Sequence, residues 1–130
     1  MSETLLSSRN LAFELYEVLD AEGLTRRERF AEHNRETFDA AIGTARNIAE
    51  KYFAPHNRKG DENEPRYENG QAVLIPEVKP AVDAFLEAGF LNAARSFEAG
   101  GMQLPTLLSQ ACFAHFQAAN AATTSYPFLT

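Results

Sequence analysis

The chain has 130 residues, of which 45% are hydrophobic and 23% charged, a size and mix that suit one globular domain and exclude disordered and fibrous classes. A formal net charge of −6, with Lys and Arg scattered through the first 95 residues, leaves no basic stripe for nucleic acid or an anionic membrane. Its one cysteine, Cys112, excludes an internal disulfide framework and suits the cytoplasm, and the opening MSETLLSSRN lacks the basic-then-apolar layout of a signal peptide.

In chain order, Ser7 or Ser8 caps a first helix running to about Ala21. Leu11, Leu15, Val18 and Leu19 form its apolar stripe, and Gly23 is the natural stop. Thr25-Arg26-Arg27-Glu28 reads as a capping box that opens a short helix to about His33. The clearest periodicity follows: Phe38, Ala41, Ile42, Ala45, Ile48, Ala49, Tyr52 and Phe53 recur at three- and four-residue steps, predicting a helix from about Arg35 to Ala54 that Pro55 ends. Gly43 weakens that helix by about 1 kcal/mol against Ala where it faces solvent. His56 to Pro65 is polar and reads as a loop. Arg66 to Ile75 reads as a small hairpin turned by Asn69-Gly70, which supplies the two positive-φ residues of a two-residue turn.

Pro76 and Glu77 open a further helix with Val78, Val82, Phe85 and Leu86 facing inward, Pro80 tolerated in the first turn and Gly89 at its end. Phe90 to Phe97 reads equally as a short helix or an extended connector. Gly100-Gly101 is a turn, and Pro105 begins a last helix, PTLLSQACFAHFQAANAATT, followed by an SYPFLT tail. From Ala99 onward there is no Lys, Arg, Asp or Glu. A helix apolar on nearly all sides is a buried one. Ser109, Gln110, His115, Gln117 and Asn120 exclude a membrane span. The predicted fold is therefore all-α, a bundle of about five to six helices with one small β-hairpin.

Reactive groups do not converge in this pattern. Cys112 and His115 lie three apart on one helix, but a metal needs three or four ligands and no second pair exists. The expectation is a packed, inert cysteine and a hydrogen-bonded core histidine, with His33 and His56 exposed. His33 and Glu36 occur once, in the reverse of the order used by bundle iron sites. Gly100-Gly101 has no preceding strand or following Lys and is not a phosphate loop. Asp61-Glu62-Asn63-Glu64 lacks calcium-loop spacing and reads as a solvated loop.

Four stretches in series carry a resemblance. Ala45 to Pro55, with Asp61-Glu62 following, resembles the first long helix of the acyl-CoA dehydrogenase family. Pro76 to Phe90, ending in Leu86-Glu87-Ala88-Gly89-Phe90, resembles that family's next helix. Glu98 to Pro105 is similar to its glycine-rich turn before the central helix, departing at Gln103, where the family usually has Gly. The match runs from about Arg35 to Thr130, which makes residues 1–34 an N-terminal helical extension and residues 35–130 the family's N-terminal helical domain within a single unit. The extension and the hairpin resemble the longer subgroup that includes the 3-methylthiopropanoyl-CoA dehydrogenases.

The resemblance implies an FAD-dependent α,β-dehydrogenation of an acyl-CoA substrate. A Glu base in a C-terminal helical domain and a flavin between that domain and a middle β-domain fall outside this chain, so no catalytic, cofactor-binding or metal residue is assigned to it, and the piece alone is expected to be inactive. Electrons leave through an electron-transfer flavoprotein, and the full-length enzyme is expected to be a homo-oligomer. The family's N-terminal domain helps to wall the acyl pocket, which here implies Thr124, Ser125, Tyr126, Phe128 and Leu129 as substrate-binding residues, with interdomain packing as the competing role. A second expectation, from the uncharged last helix itself, is a stand-alone helical interaction or dimerisation module without catalysis.

Overall fold

A computed structural model describes residues 5–129. Among them are six α-helices and one antiparallel two-stranded hairpin, so the all-α expectation holds. Helix α1 (Ser8–Ala12) is capped by Ser7, whose Oγ accepts the Asn10 amide at 3.2 Å. It widens into a π turn over Phe13–Val18 and stops short of Ala21. The left-handed residue at the stop is Asp20, at φ 48°, and not Gly23, which lies inside a 3-10 segment (Ala21–Arg26). Asp accepts that conformation because its short polar side chain finds local partners.

The predicted capping box at Thr25–Glu28 does not form. Thr25 Oγ1 instead donates back to the Glu22 carbonyl at 2.7 Å, and Glu28 opens only a one-turn 3-10 segment without a side-chain cap. The box that does form is Asn34 with Thr37. Asn34 Oδ1 accepts the Thr37 amide at 2.9 Å, and Thr37 Oγ1 accepts the Asn34 amide at 3.0 Å. A hydroxyl at the third helical position does the work usually looked for from Glu or Gln.

Helix α2 (Arg35–Ile48) runs into a π turn (Ala49–Phe53) and a 3-10 turn (Ala54–His56). Pro55 does not end the run. It occupies the opening of the 3-10 turn, where its missing N–H is not needed, and the chain goes straight on into α3 (Asn57–Glu62), over half of the predicted loop. His56 is consequently 2% exposed, against the expectation of a solvent-facing residue.

The hairpin pairs β1 (Arg66–Glu68) with β2 (Gln71–Val73), and Asn69 and Gly70 hold φ of 51° and 78° as their turn requires. Pairing stops at Val73, leaving Leu74 and Ile75 outside the ladder. Helix α4 (Val78–Glu87) buries Ala81 and Phe85. Leu86, expected inward, is 43% exposed because it falls one step off that face. Gly89 follows at φ 86°, and the ambiguous connector resolves into 3-10 turns at Phe90–Asn92 and Phe97–Ala99. At Gly101 the backbone passes so close to Arg95 that a Cβ would lie 2.2 Å from the Arg95 carbonyl oxygen.

Helix α5 (Thr106–Ala119) is the centre of the bundle and ends earlier than predicted. Asn120, at φ −166° and ψ 91°, breaks the run, and α6 (Ala121–Phe128) takes up most of the supposed tail, with Pro127 inside it. Phe116 on α5 is the hub of the core. Its ring lies 4.9 Å from Phe53, 5.0 Å from Phe85 and 5.5 Å from Phe90. Each fully buried side chain of this kind contributes about 1.5–3 kcal/mol, and Phe38, Phe53, Phe85, Phe116 and Leu108 are all sealed from solvent.

Candidate functional site

The site is organised around the break between α5 and α6. Asn120 is 2% exposed, and each of its polar groups is used. Its Oδ1 accepts the Thr123 amide at 3.0 Å, an N-cap for α6. Its Nδ2 donates to the Phe53 carbonyl at 3.0 Å, tying the break to the end of the α2 run. Its own carbonyl accepts the Thr124 hydroxyl at 2.8 Å. His56, buried by the turn at Pro55, lies 2.8 Å from Thr123 Oγ1 through its Nε2. None of His56, Asn120 or Thr123 belongs to the set inferred from sequence, and the one sequence signal was an Asn between alanines in an otherwise helical stretch.

Of the five residues inferred from sequence, three are brought together. Thr124, Ser125 and Phe128, with Gln117 and Ala121, line an open cleft of about 230 Å3 on the outer side of α6. Thr124 is itself 1% exposed, and its hydroxyl hydrogen is spent on Asn120. Ser125 likewise donates to the Ala122 carbonyl at 2.6 Å. Apart from the Gln117 carboxamide, the cleft is therefore walled by methylene, methyl and ring surface, with its hydroxyl donors already satisfied within the helix. Phe128 stands 54% exposed, its ring set edge-on against Phe113 at 5.7 Å.

Tyr126 lies elsewhere. It borders a small pocket of about 50 Å3 between α6 and the base of the hairpin, with His56, Leu74, Ile75 and Val78. Leu129 follows the helix at 78% exposure and borders neither space. A depression of about 700 Å3 lies beside the hairpin and is rimmed by Asp61, Glu62, Glu64 and Arg66, all solvent-exposed.

The remaining reactive groups sit apart from this cleft. Cys112 is 1% exposed, and burial pushes its thiol up to about 12, so it stays protonated and packs as a small apolar residue. His115, expected to be hydrogen-bonded in the core, is 5% exposed with an Nε2 that has no partner. Burial first, and then the charge of Arg46, lowers its pKa, so the ring is neutral near pH 7. Tyr16, on the far side of the molecule, has its pKa raised by burial and then by the 2.6 Å hydrogen bond it donates to Asp39. His33 is half-buried rather than exposed, and its Nε2 donates to the carbonyls of Met102 at 2.9 Å and Gln103 at 3.1 Å. Among the described residues no three His, Cys, Asp or Glu side chains come together as metal ligands, and no helix is long and apolar enough to cross a membrane.

No protein-family model matches the chain. Against individual proteins, it is 29% identical over 128 residues to the broad-specificity linear acyl-CoA dehydrogenase FadE5 of Mycobacterium tuberculosis (strain ATCC 25618 / H37Rv). That alignment takes in 97% of this chain but 21% of the enzyme, so the chain spans about a fifth of the length of the acyl-CoA dehydrogenase it is similar to.

Proposed function

We propose that this chain is the N-terminal helical part of an FAD-dependent acyl-CoA dehydrogenase, with residues 35–130 as the family-like domain and residues 1–34 as an extension of the longer subgroup. The observation that carries the reading is the similarity of 97% of the chain to a stretch amounting to 21% of an acyl-CoA dehydrogenase. The surface of α6 supports it: beside the Gln117 carboxamide, Ala121, Ser125 and Phe128 give a mainly apolar wall with no spare hydroxyl donor, which suits an alkyl chain better than a charged group. Tyr126 and Leu129 then serve contacts with neighbouring β and C-terminal helical domains rather than the acyl chain.

The described residues do not fit a flavin. The α6 cleft, at about 230 Å3, is smaller than the roughly 300–1,000 Å3 of sites that enclose small molecules, and none of its lining residues carries a charge to meet a pyrophosphate. FAD, which supplies a hydride acceptor when bound, and the carboxylate base belong to other parts of the enzyme. This chain's share is to orient the acyl group and keep water from it. The associated electron-transfer flavoprotein, the oligomer and a cytoplasmic location follow from the same reading.

The test is expression of the complete gene product containing this chain. It should bleach its flavin on addition of a straight-chain acyl-CoA and pass electrons to an artificial acceptor, whereas the 130-residue piece should purify colourless. Stoichiometric FAD on the piece alone would overturn the account. A second reading, a stand-alone dimerisation module, draws on the exposed Phe128 and Leu129. It requires a dimer that survives dilution in light scattering and a gene product that oxidises no acyl-CoA.

A further inference from the structure

We infer that Asn120 is the positioning residue that determines which side chains α6 turns toward the acyl group. The inference rests on the reading of α6 as an acyl-facing wall.

Helix α6 has eight residues and carries Pro127, too little to hold its own direction. Nothing else in the local sequence calls for a break. No Gly or Pro occurs between Thr106 and Tyr126, and the flanking Ala-Ala-Asn-Ala-Ala favours an uninterrupted helix. The break is instead made by one side chain that does two things at once. Asn120 caps Thr123 with its oxygen and grips the Phe53 carbonyl, 67 residues away, with its nitrogen. The cap fixes where α6 begins, and the grip fixes how it is rotated relative to α5 and the α2 run. His56, on Thr123 one residue short of the cleft, holds the same rotation from the other side. With α6 so turned, Ala121, Ser125 and Phe128 border the cleft, with Thr124 buried at its floor. Were α5 to run on unbroken, the segment would continue along the α5 axis, leave His56 and carry this face away from its present position.

The residue therefore acts through others. It does not face the cleft, and changing it should alter which acyl chains are preferred more than the chemistry itself. In the complete gene product, N120A should change the ratio of kcat/KM between a long and a short straight-chain acyl-CoA by about tenfold, the size of effect a misfit of one methylene has in an apolar pocket. It should do so mainly through KM. N120S keeps an N-cap but cannot reach the Phe53 carbonyl, and should shift the ratio less and in the same direction. A crystal structure of N120A should show the helix continuing past residue 120, with Thr123 withdrawn from His56.

An unchanged ratio in both variants, an equal loss of kcat/KM for every chain length, or a variant structure with the break intact would each overturn the inference. If N120A does not fold, N120S decides through kinetics alone: an unchanged ratio, or an equal loss for every chain length, overturns the inference. Should the wild-type product oxidise no acyl-CoA, the functional reading fails separately, and the crystal structure of the variant still decides whether Asn120 sets the facing of α6.

Discussion

Helices α5 and α6 adjoin in sequence and are held in opposite ways. Helix α5 is fixed by burial: Leu108, Ala111, Cys112, Phe116 and Ala119 are all covered, and Phe116 touches the rings of three other core phenylalanines. Helix α6 buries Thr123, Thr124 and Pro127, and its fixed points are hydrogen bonds at Asn120, Thr123 and Thr124. Apolar burial is non-directional, so it secures α5 strongly without specifying much about its rotation. Hydrogen bonds contribute less but fail sharply with angle, so they specify the rotation of α6 at small energetic cost.

Four substitutions sharpen that contrast, from the largest effect to the smallest. Phe116→Ala should destabilise the protein by about 3–5 kcal/mol in denaturant unfolding, since it empties the hub of the aromatic cluster. A loss under about 1 kcal/mol would mean α5 is not held as described. Asn120→Ala should cost about 2 kcal/mol, the sum of a lost cap and a buried Phe53 carbonyl left without this donor. If it cost as much as the Phe116 change, α6 would be part of the main core and the contrast would collapse. Gly43→Ala should stabilise by about 1 kcal/mol, because a Cβ there meets nothing within 4 Å and Ala favours the helix; a fall in the unfolding midpoint would reveal a partner against that face.

The last prediction uses pH. His115 on α5 has a folded-state pKa below its ordinary 6.5, so the unfolded chain binds the extra proton first. Its contribution to stability is complete above about pH 6.5 and is lost as pH falls from there through the folded-state value. His115→Met keeps an apolar side chain of similar reach and should flatten stability between pH 7 and pH 5, as read by thermal melts across buffers. An unchanged slope would assign the acid sensitivity to other groups.

The helices themselves were legible in the sequence because their apolar spacing is a local property. Phe38, Ala45 and Phe53 on the α2 run, Phe85 on α4 and Phe116 on α5 all point inward as their periodicity predicts. Their ends were not legible, since those depend on atoms far away in the chain. Asn120 stops α5 with help from Phe53, and nothing near Asn120 in sequence signals that partner. Pro55 failed as a stop because a 3-10 turn absorbs it, and Thr25 failed as a cap because its hydroxyl turned back to Glu22. The candidate site divides the same way. The resemblance pointed to the α6 segment but carried nothing about its rotation, and in the structure Thr124, Ser125 and Phe128 share a cleft while Tyr126 faces the hairpin. Gln117 and Ala121 were outside the expected set because the resemblance pointed only to the end of the central helix and the segment after it.

Gln103 holds φ of 51°, a conformation glycine adopts far more readily. Its side chain offsets the strain by donating to the Arg29 carbonyl at 2.6 Å and accepting the Phe97 amide at 3.0 Å, while His33 binds the Gln103 carbonyl from the N-terminal segment. Residues 29 and 33 thus act as a brace for the glycine-rich turn that leads into α5. Turn and brace form a matched pair in space. Chains that lack the N-terminal segment are expected to carry glycine at the position of Gln103, and a shortened version of this chain should recover stability when Gln103→Gly is added.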